Sequence, residues 1–348
     1  MCKKGENIIL GISIGDMNGI GPEVILKSLE DTRMMELCTP VIFANAKLVS
    51  FIKKSVGCTL SIHSIDSIDQ IQLGKINVLN IWKEGVNLEV GKLDDKVGKY
   101  AIKSFVAATE ALKKNEIDIL VTAPINKYNI QSEDFHFPGH TDYLNEQIEG
   151  NALMLMISEN LRIGLLTDHL PINEISEAIT PELIKQKIKT INQSLIQDFN
   201  IIKPKIALLG LNPHSGDNGV IGKEEIETIF PTIKELLNEG YIVNGPFSAD
   251  AFFGNEQYLN YDAVVACYHD QGLIPFKSLS FGEGVNYTAG LEKIRTSPDH
   301  GTAYDIAGKN IANHTSFTEA IYAALDIYKN RNAYLKSKEA PLYENKKN

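Results

Sequence analysis

Apolar and polar positions along this chain follow two periods. Short β-branched or aliphatic runs, bounded by glycine or turn residues, predict buried strands at Ile8 to Ile14, Pro40 to Asn45, Lys75 to Ile81 and Ile117 to Val121. Further runs at Ala152 to Ile157, Leu161 to Leu166, Ile206 to Leu211 and Ala263 to Cys267 continue the pattern. Between them the spacing changes to three and four. Ala101, Phe105, Ala108 and Leu112 share one helical face, as do Ile184, Ile188, Ile191 and Leu195. Helices are also expected over Lys47 to Val56, over Lys223 to Leu237, and after Pro22, whose ring suits a first helical turn. Thr180-Pro181-Glu182 has the form of a helix start, and Ser316 to Glu319 that of a capping box. This last helix is expected to run through Tyr328, with a polar tail that frays after Asn332.

Strand and helix in alternation predict an α/β protein, a largely parallel sheet with helices on both faces. The length, 348 residues, suffices for two lobes. No linker rich in Gly, Pro or Ser divides the chain, so a two-lobed α/β/α molecule with its active site in a cleft is the expectation. Ligands of such sheets gather where strands end.

Composition narrows the class. At 43% hydrophobic and 22% charged the chain is an ordinary globular protein, and its net charge of −10 argues against nucleic acid as a partner. Cys2, Cys38, Cys58 and Cys267 form no CxxC pair, which points to a reduced compartment and no zinc ribbon. The apolar run behind Lys3 and Lys4 stops at Gly15-Asp16, with no small-residue cleavage site. No run approaches the ~18 apolar residues a membrane span needs. A cytoplasmic protein is expected, with no membrane partner.

Candidate chemistry concentrates in residues 261–309, rich in glycine, histidine and isolated charge. Three histidines, His169, His214 and His269, each follow a strand-like run. Strand ends of one sheet share an edge, so three imidazoles there could hold a divalent metal with one open position. The alternative for each is a solvated strand-end histidine. Imidazole donors suit zinc, cobalt or iron better than calcium. Asp250, in Gly245 to Asp250, is either a carboxylate behind such a metal or a turn residue. His140-Thr141 follows a Pro-Gly turn and either meets a ligand or places a helix cap at Thr141. Lys127, Lys277 and Arg295 are single cations near glycine or proline loops, and Arg295 with Thr296 and Ser297 suits an anionic group. The 15–21 loop matches neither GxGxxG nor the P-loop pattern, and no GxSxG or HExxH occurs.

Taken together, GISIGDMNGIGPEV, TAPINK, FPGHTDYL, HLP, LNPHSGDNGVIGKEE, GPFSAD, YHDQGL, GVNYTAGL and RTSPDHGTAYDIAG resemble the PdxA family of 4-hydroxythreonine-4-phosphate dehydrogenases. The likeness runs from Gly11 to about Ala324, and two of these motifs are similar to the wider isocitrate and isopropylmalate dehydrogenase superfamily. The resemblance implies an isocitrate/isopropylmalate dehydrogenase-like fold and NAD- or NADP-linked oxidation of 4-phosphohydroxy-L-threonine in vitamin B6 biosynthesis. It implies a divalent metal (Zn, Mg or Co) on His169, His214 and His269, shared between the subunits of a homodimer. Substrate contacts would come from His140, Thr141, Lys277, Asn286 and Arg295. His300, Gly301, Thr302, Ala303 and Asp305 would face the cofactor. Lys277 or a metal-bound water is the candidate general base, and Asp250 a candidate catalytic carboxylate. Residues 1–128 with 286–348 are expected to form the cofactor lobe, and residues 129–285 the metal, substrate and dimerisation lobe. This chain departs from the family in Asp168 before His169 and in Leu291 to Ile294 before Arg295. A paralogue oxidising erythronate or threonate phosphate is the nearest alternative, and a phosphate acyltransferase of related fold a more distant one.

Overall fold

The computed structural model describes residues 7–133 and 135–339, so Cys2, Lys3 and Lys4 lie outside the described residues. Twelve strands make one sheet: β1 (Ile8–Ser13), β2 (Cys38–Ala44), β3 (Ile62–Ile65), β4 (Ile76–Asn80), β5 (Ile119–Thr122), β6 (Gly150–Ile157), β7 (Arg162–Leu165), β8 (Lys205–Leu209), β9 (Ile242–Phe247), β10 (Ala263–Ala266), β11 (Val285–Leu291) and β12 (Arg295–Pro298). Their order is β3-β4-β2-β1-β5-β12-β11-β6-β7-β10-β8-β9. The first six are mutually parallel, and so are the last four. Between these blocks the pairings β12–β11, β11–β6 and β6–β7 are all antiparallel. The sheet therefore changes character in the middle, at the strands that carry Arg295 and Asn286.

The helices are α1 (Gly21–Ser28), α2 (Met34–Leu37), α3 (Ala46–Ser55), α4 (Asp95–Lys113), α5 (His140–Gln147), α6 (Ile175–Ala178), α7 (Pro181–Gln197), α8 (Phe230–Asn238), α9 (Ala249–Gly254), α10 (His269–Ser280) and α11 (Thr315–Glu339). Alternation along β5 shows how they cover both faces. Leu120 packs with Phe105 and Leu112 of α4, whereas Ile119 and Val121 share a cluster with Phe317 and Ile321 of α11. The predicted faces of α4 and α7 are buried as expected. Thr180 caps α7 by accepting the Leu183 N–H at 3.2 Å.

Three expectations give way to different local structure. The span from Lys223 holds a π-helical turn, Glu225–Ile229, before α8 begins. Pro231 has no N–H to return to the preceding turn, so the regular ladder cannot run through it. Ser316 does not cap α11: its hydroxyl donates to the Gly284 carbonyl and accepts from the Asp299 N–H, while Asn313 receives the Thr315 N–H. The helix also continues past Asn332 to Glu339. Tyr334 is held there by Gln193 and lies under the Lys338 ammonium, and Lys336 and Lys338 complement the helix C-terminus. Among the described residues, Cys38, Cys58 and Cys267 are free and buried, and no helix is long and apolar enough to cross a membrane.

The 15–21 loop is a structural clamp. Gly15 takes φ +69°, which lets Asp16 turn inward, where only 1% of its surface is exposed. Its carboxylate accepts from Asn18 N–H, from Asn129 Nδ2 at 2.7 Å and from Tyr304 Oη at 2.7 Å. Ile20 N–H binds the Thr302 carbonyl, and a Cβ on Gly19 would stand 2.6 Å from that oxygen. One loop thus ties residues 126–129 to residues 302–304.

Candidate active site

A cavity of about 230 Å³ opens on the α4-side face of the central strands. Its walls come from the segment after β5 (Ala123 to Lys127), from Gly139 to Asp142, from β6, β11 and β12, and from His169, His300 and Gly301. Arg295 is its most constrained element. The side chain is 2% exposed, and it donates from Nε and Nη2 to Thr122 Oγ1, from Nη1 to Thr288 Oγ1, and from Nη2 to His140 Nδ1 at 2.9 Å. Of the guanidinium's five N–H donors, four are committed, which leaves one for a ligand. Burial pulls the guanidinium down to about 9, and it still carries its charge at neutral pH.

His140 opens α5, with Gly139 as the N-cap, so Thr141 is a first-turn residue rather than the cap. Phe105 meets the imidazole edge-on at 4.5 Å between centroids. Guanidinium can only donate, so His140 Nδ1 accepts and the neutral ring carries its proton on Nε2. That Nε2 is buried without a partner. Burial first, then the Arg295 and Lys127 charges, pushes the ring's pKa well below the usual histidine value, so it stays neutral. Asn286 Oδ1 is a second buried atom without a partner on this cavity, and His300 Nε2 a third.

The other expected residues are less tightly gathered. His169 lines the cavity, and its Nε2 lies 3.4 Å from Lys127 Nζ. Its ring stands 5.9 Å from that of His269, whose Nδ1 is fixed at 2.7 Å by Asp270. Such a carboxylate behind an imidazole is the usual support of a metal ligand. His214 does not join them. Its loop runs through left-handed backbone from His214 to Asn218. Asn212 fastens that loop to Glu224 and Glu225, and Ser215 fastens it to the Pro246 carbonyl. Asp250 is exposed beside that loop, and its carboxyl is held below the usual range chiefly by the Ser248 hydroxyl. Among the described residues no group of three or more His, Cys, Asp or Glu is placed to hold a metal ion. A three-imidazole site is therefore not formed among the described residues of one chain.

Lys277 sits on α10 outside the cavity wall, paired with Asp299 at 3.2 Å. Thr302 is buried and Ala303 left-handed, while Gly301 and Asp305 face outward, with open space where a Cβ on Gly301 would lie. This segment can receive an extended ligand beside the cavity. Ser297, named with Arg295 from the sequence, lines the cavity, but sequence reasoning did not single out Thr122, Thr288 or Asp299. Hydroxyls that orient a guanidinium from neighbouring strands have no local signature.

The sequence profile of the pyridoxal phosphate biosynthetic protein PdxA matches residues 36–324. The chain belongs to the PdxA family. It is 45% identical over 339 residues to the 4-hydroxythreonine-4-phosphate dehydrogenase of Bacteroides thetaiotaomicron, covering 97% of this chain and 93% of that one. A PdxA-like crystal structure, the 4-hydroxythreonine-4-phosphate dehydrogenase of Klebsiella pneumoniae, superposes with a TM-score of 0.81 at 31% identity, covering 94% and 99% of the two chains. A protein of Oceanobacillus iheyensis, named provisionally as a D-threonate 4-phosphate dehydrogenase, is 35% identical and covers 92% and 97%. Against the fold these likenesses place the α/β class, and the dehydrogenase names imply a nicotinamide cofactor.

Proposed function

We propose that this chain oxidises the 3-hydroxyl of 4-phosphohydroxy-L-threonine with NAD or NADP. The product, 2-amino-3-oxo-4-phosphooxybutanoate, then loses carbon dioxide to give 3-amino-2-oxopropyl phosphate on the route to pyridoxal 5'-phosphate. The observation that carries the reading is the buried Arg295–His140 pair at the floor of the cavity. A guanidinium with one free N–H and an imidazole Nε2–H converge there, a donor set for a phosphate or carboxylate. Thr141 and Lys127 add donors at the rim, and Asn286 Oδ1 offers an acceptor. Lys277 would reach the outer end of the substrate.

The nicotinamide cofactor supplies the hydride acceptor. His300, Gly301, Thr302, Ala303 and Asp305 would hold it, and the clamp through Asp16 and Ile20 keeps that segment against the cavity. A divalent ion, zinc, magnesium or cobalt, would rest on His169 and His269. In the homodimer the family resemblance implies, the third imidazole, His214, and Asp250 beside it would enter a site shared between subunits. The working division is a cofactor lobe of residues 1–128 with 286–348 and a metal, substrate and dimerisation lobe of residues 129–285, in a cytoplasmic enzyme.

The Oceanobacillus likeness favours a second reading, oxidation of D-threonate 4-phosphate. The test is reduction of NAD and of NADP by 4-phosphohydroxy-L-threonine, with released carbon dioxide measured alongside, with and without a chelator. Equimolar reduced nicotinamide and carbon dioxide support the proposal. Oxidation of D-threonate 4-phosphate alone would replace it with the second reading.

A further inference from the structure

Two of the three histidines that line the cavity, His140 and His300, are fixed in opposite tautomers. His300 Nδ1 lies 3.1 Å from the Gly301 carbonyl. A carbonyl only accepts, so in the neutral ring the proton sits on Nδ1 and Nε2 holds a lone pair. That Nε2 is buried, has no partner and belongs to the cavity wall. His140 presents the reverse, an Nε2–H, because Arg295 occupies its Nδ1. The cavity thus contains one neutral imidazole that can only give a proton to a ligand and one that can only take it.

We propose that His300 is the proton acceptor of the alcohol oxidation, which rests on the dehydrogenase reading above. The hydroxyl O–H bond breaks toward His300 Nε2 as the hydride of the same carbon passes to the oxidised nicotinamide, and the carbon–oxygen double bond forms. The resulting imidazolium keeps its Nδ1–H on Gly301 and holds the extra proton on Nε2 until the product leaves and water enters the cavity. Other groups in and around the cavity are less suited. His140 has no free lone pair, His169 Nε2 faces the Lys127 ammonium at 3.4 Å, Asn286 accepts a hydrogen bond but not a proton, and the Lys277 ammonium outside the wall is engaged by Asp299. Burial chiefly holds the His300 pKa below the usual histidine value, Lys277 adding to the effect and Asp299 opposing it. Across the cavity stand Lys127, Asp142, His169 and Arg295, and all belong to the charge environment of the ring.

The test replaces His300 by Gln, which keeps an acceptor but cannot take up a proton. Wild-type and H300Q enzyme are compared in kcat, in substrate and cofactor Kd, and in the pH profile of kcat. The expectation is a fall of roughly 10²- to 10⁴-fold in kcat, with the substrate Kd little changed, any loss of cofactor affinity far smaller than the loss of kcat, and the acid limb of the profile lost. Retained kcat with weakened cofactor binding, or an acid limb that persists, would overturn the proposal. Nitrogen NMR of the His300 ring in the wild-type protein gives a readout that does not depend on the substrate. A proton on Nδ1 is expected, and an Nε2-protonated ring would overturn the assignment even if no substrate has been found. If D-threonate 4-phosphate is the alcohol oxidised, the substrate reading fails while the H300Q comparison still applies to that alcohol.

Discussion

Replacing Arg295 by Met tests how the cavity holds its anionic ligand. The guanidinium spends four N–H bonds inside the protein and keeps one for the substrate. A hydrogen bond to a charged group is worth about 1.5–3 kcal/mol. Its loss, at about 1.4 kcal/mol per decade, corresponds to a roughly 10- to 150-fold fall in kcat/KM. Most of that should appear as a raised KM, because an anion at the substrate's end is held alike in the ground and transition states. Stability should change less than the broken bonds suggest. Thr122, Thr288 and His140 lose their donor, but the protein no longer buries a charge that its surroundings pull down to about 9. We expect R295M to unfold within about 2 kcal/mol of the wild type in urea, the internal bonds and the charge burial each being worth a few kcal/mol. Steady-state kinetics on protein shown to be folded by circular dichroism separates the two effects. A folded R295M with a KM within threefold of wild type would refute the reasoning.

Other expectations follow from particular contacts. Arg331 donates to Asp198 at 2.7 Å and to Tyr287 Oη, and Asp198 is fully buried, so R331M leaves an uncompensated carboxylate and should cost about 3–5 kcal/mol in urea unfolding. A Cβ on Gly98 would lie 2.1 Å from the Asn129 carbonyl oxygen. G98A should therefore lose about 1–3 kcal/mol by overpacking despite a helix-propensity gain of up to about 1 kcal/mol, and a more stable variant would contradict the packing. His140 is kept neutral in the fold, its pKa well below the ordinary 6.5. The unfolded chain gains its proton first as pH falls below about 6.5, so stability present above that value is lost toward acid. In H140Q the decline of urea stability between neutral and acid pH should be shallower, and an unchanged slope would show that His140 contributes none of it.

Much of the scaffold was legible because it rests on local pattern. β1, α4 and α7 announce themselves by apolar period, and Thr180 by its capping chemistry. β11 and β12 do not. Val285–Leu291 and Arg295–Pro298 carry Asn, Thr, Gly, Arg and Ser, and they become central strands only because β6 and β5 flank them. The same strands form the cavity floor. His140, Asn286, Arg295 and His300 could be named from motifs, but their opposing tautomers depend on Arg295 and on the Gly301 carbonyl. Strand-end position put His169, His214 and His269 forward together. The rings of His169 and His269 stand 5.9 Å apart, while the loop of His214 is set by side-chain hydrogen bonds to Glu224, Glu225 and the Pro246 carbonyl that have no signature in the sequence.

The most direct measurement of the central claim is competition between two alcohols for the same enzyme. Purified protein with NAD or NADP is given 4-phosphohydroxy-L-threonine and D-threonate 4-phosphate, singly and together, and kcat/KM is compared from reduced nicotinamide and from each ketone product. A clear preference for 4-phosphohydroxy-L-threonine, with D-threonate 4-phosphate a weak competitor, is the predicted result. A higher kcat/KM for D-threonate 4-phosphate, or no nicotinamide reduction with either, would contradict it.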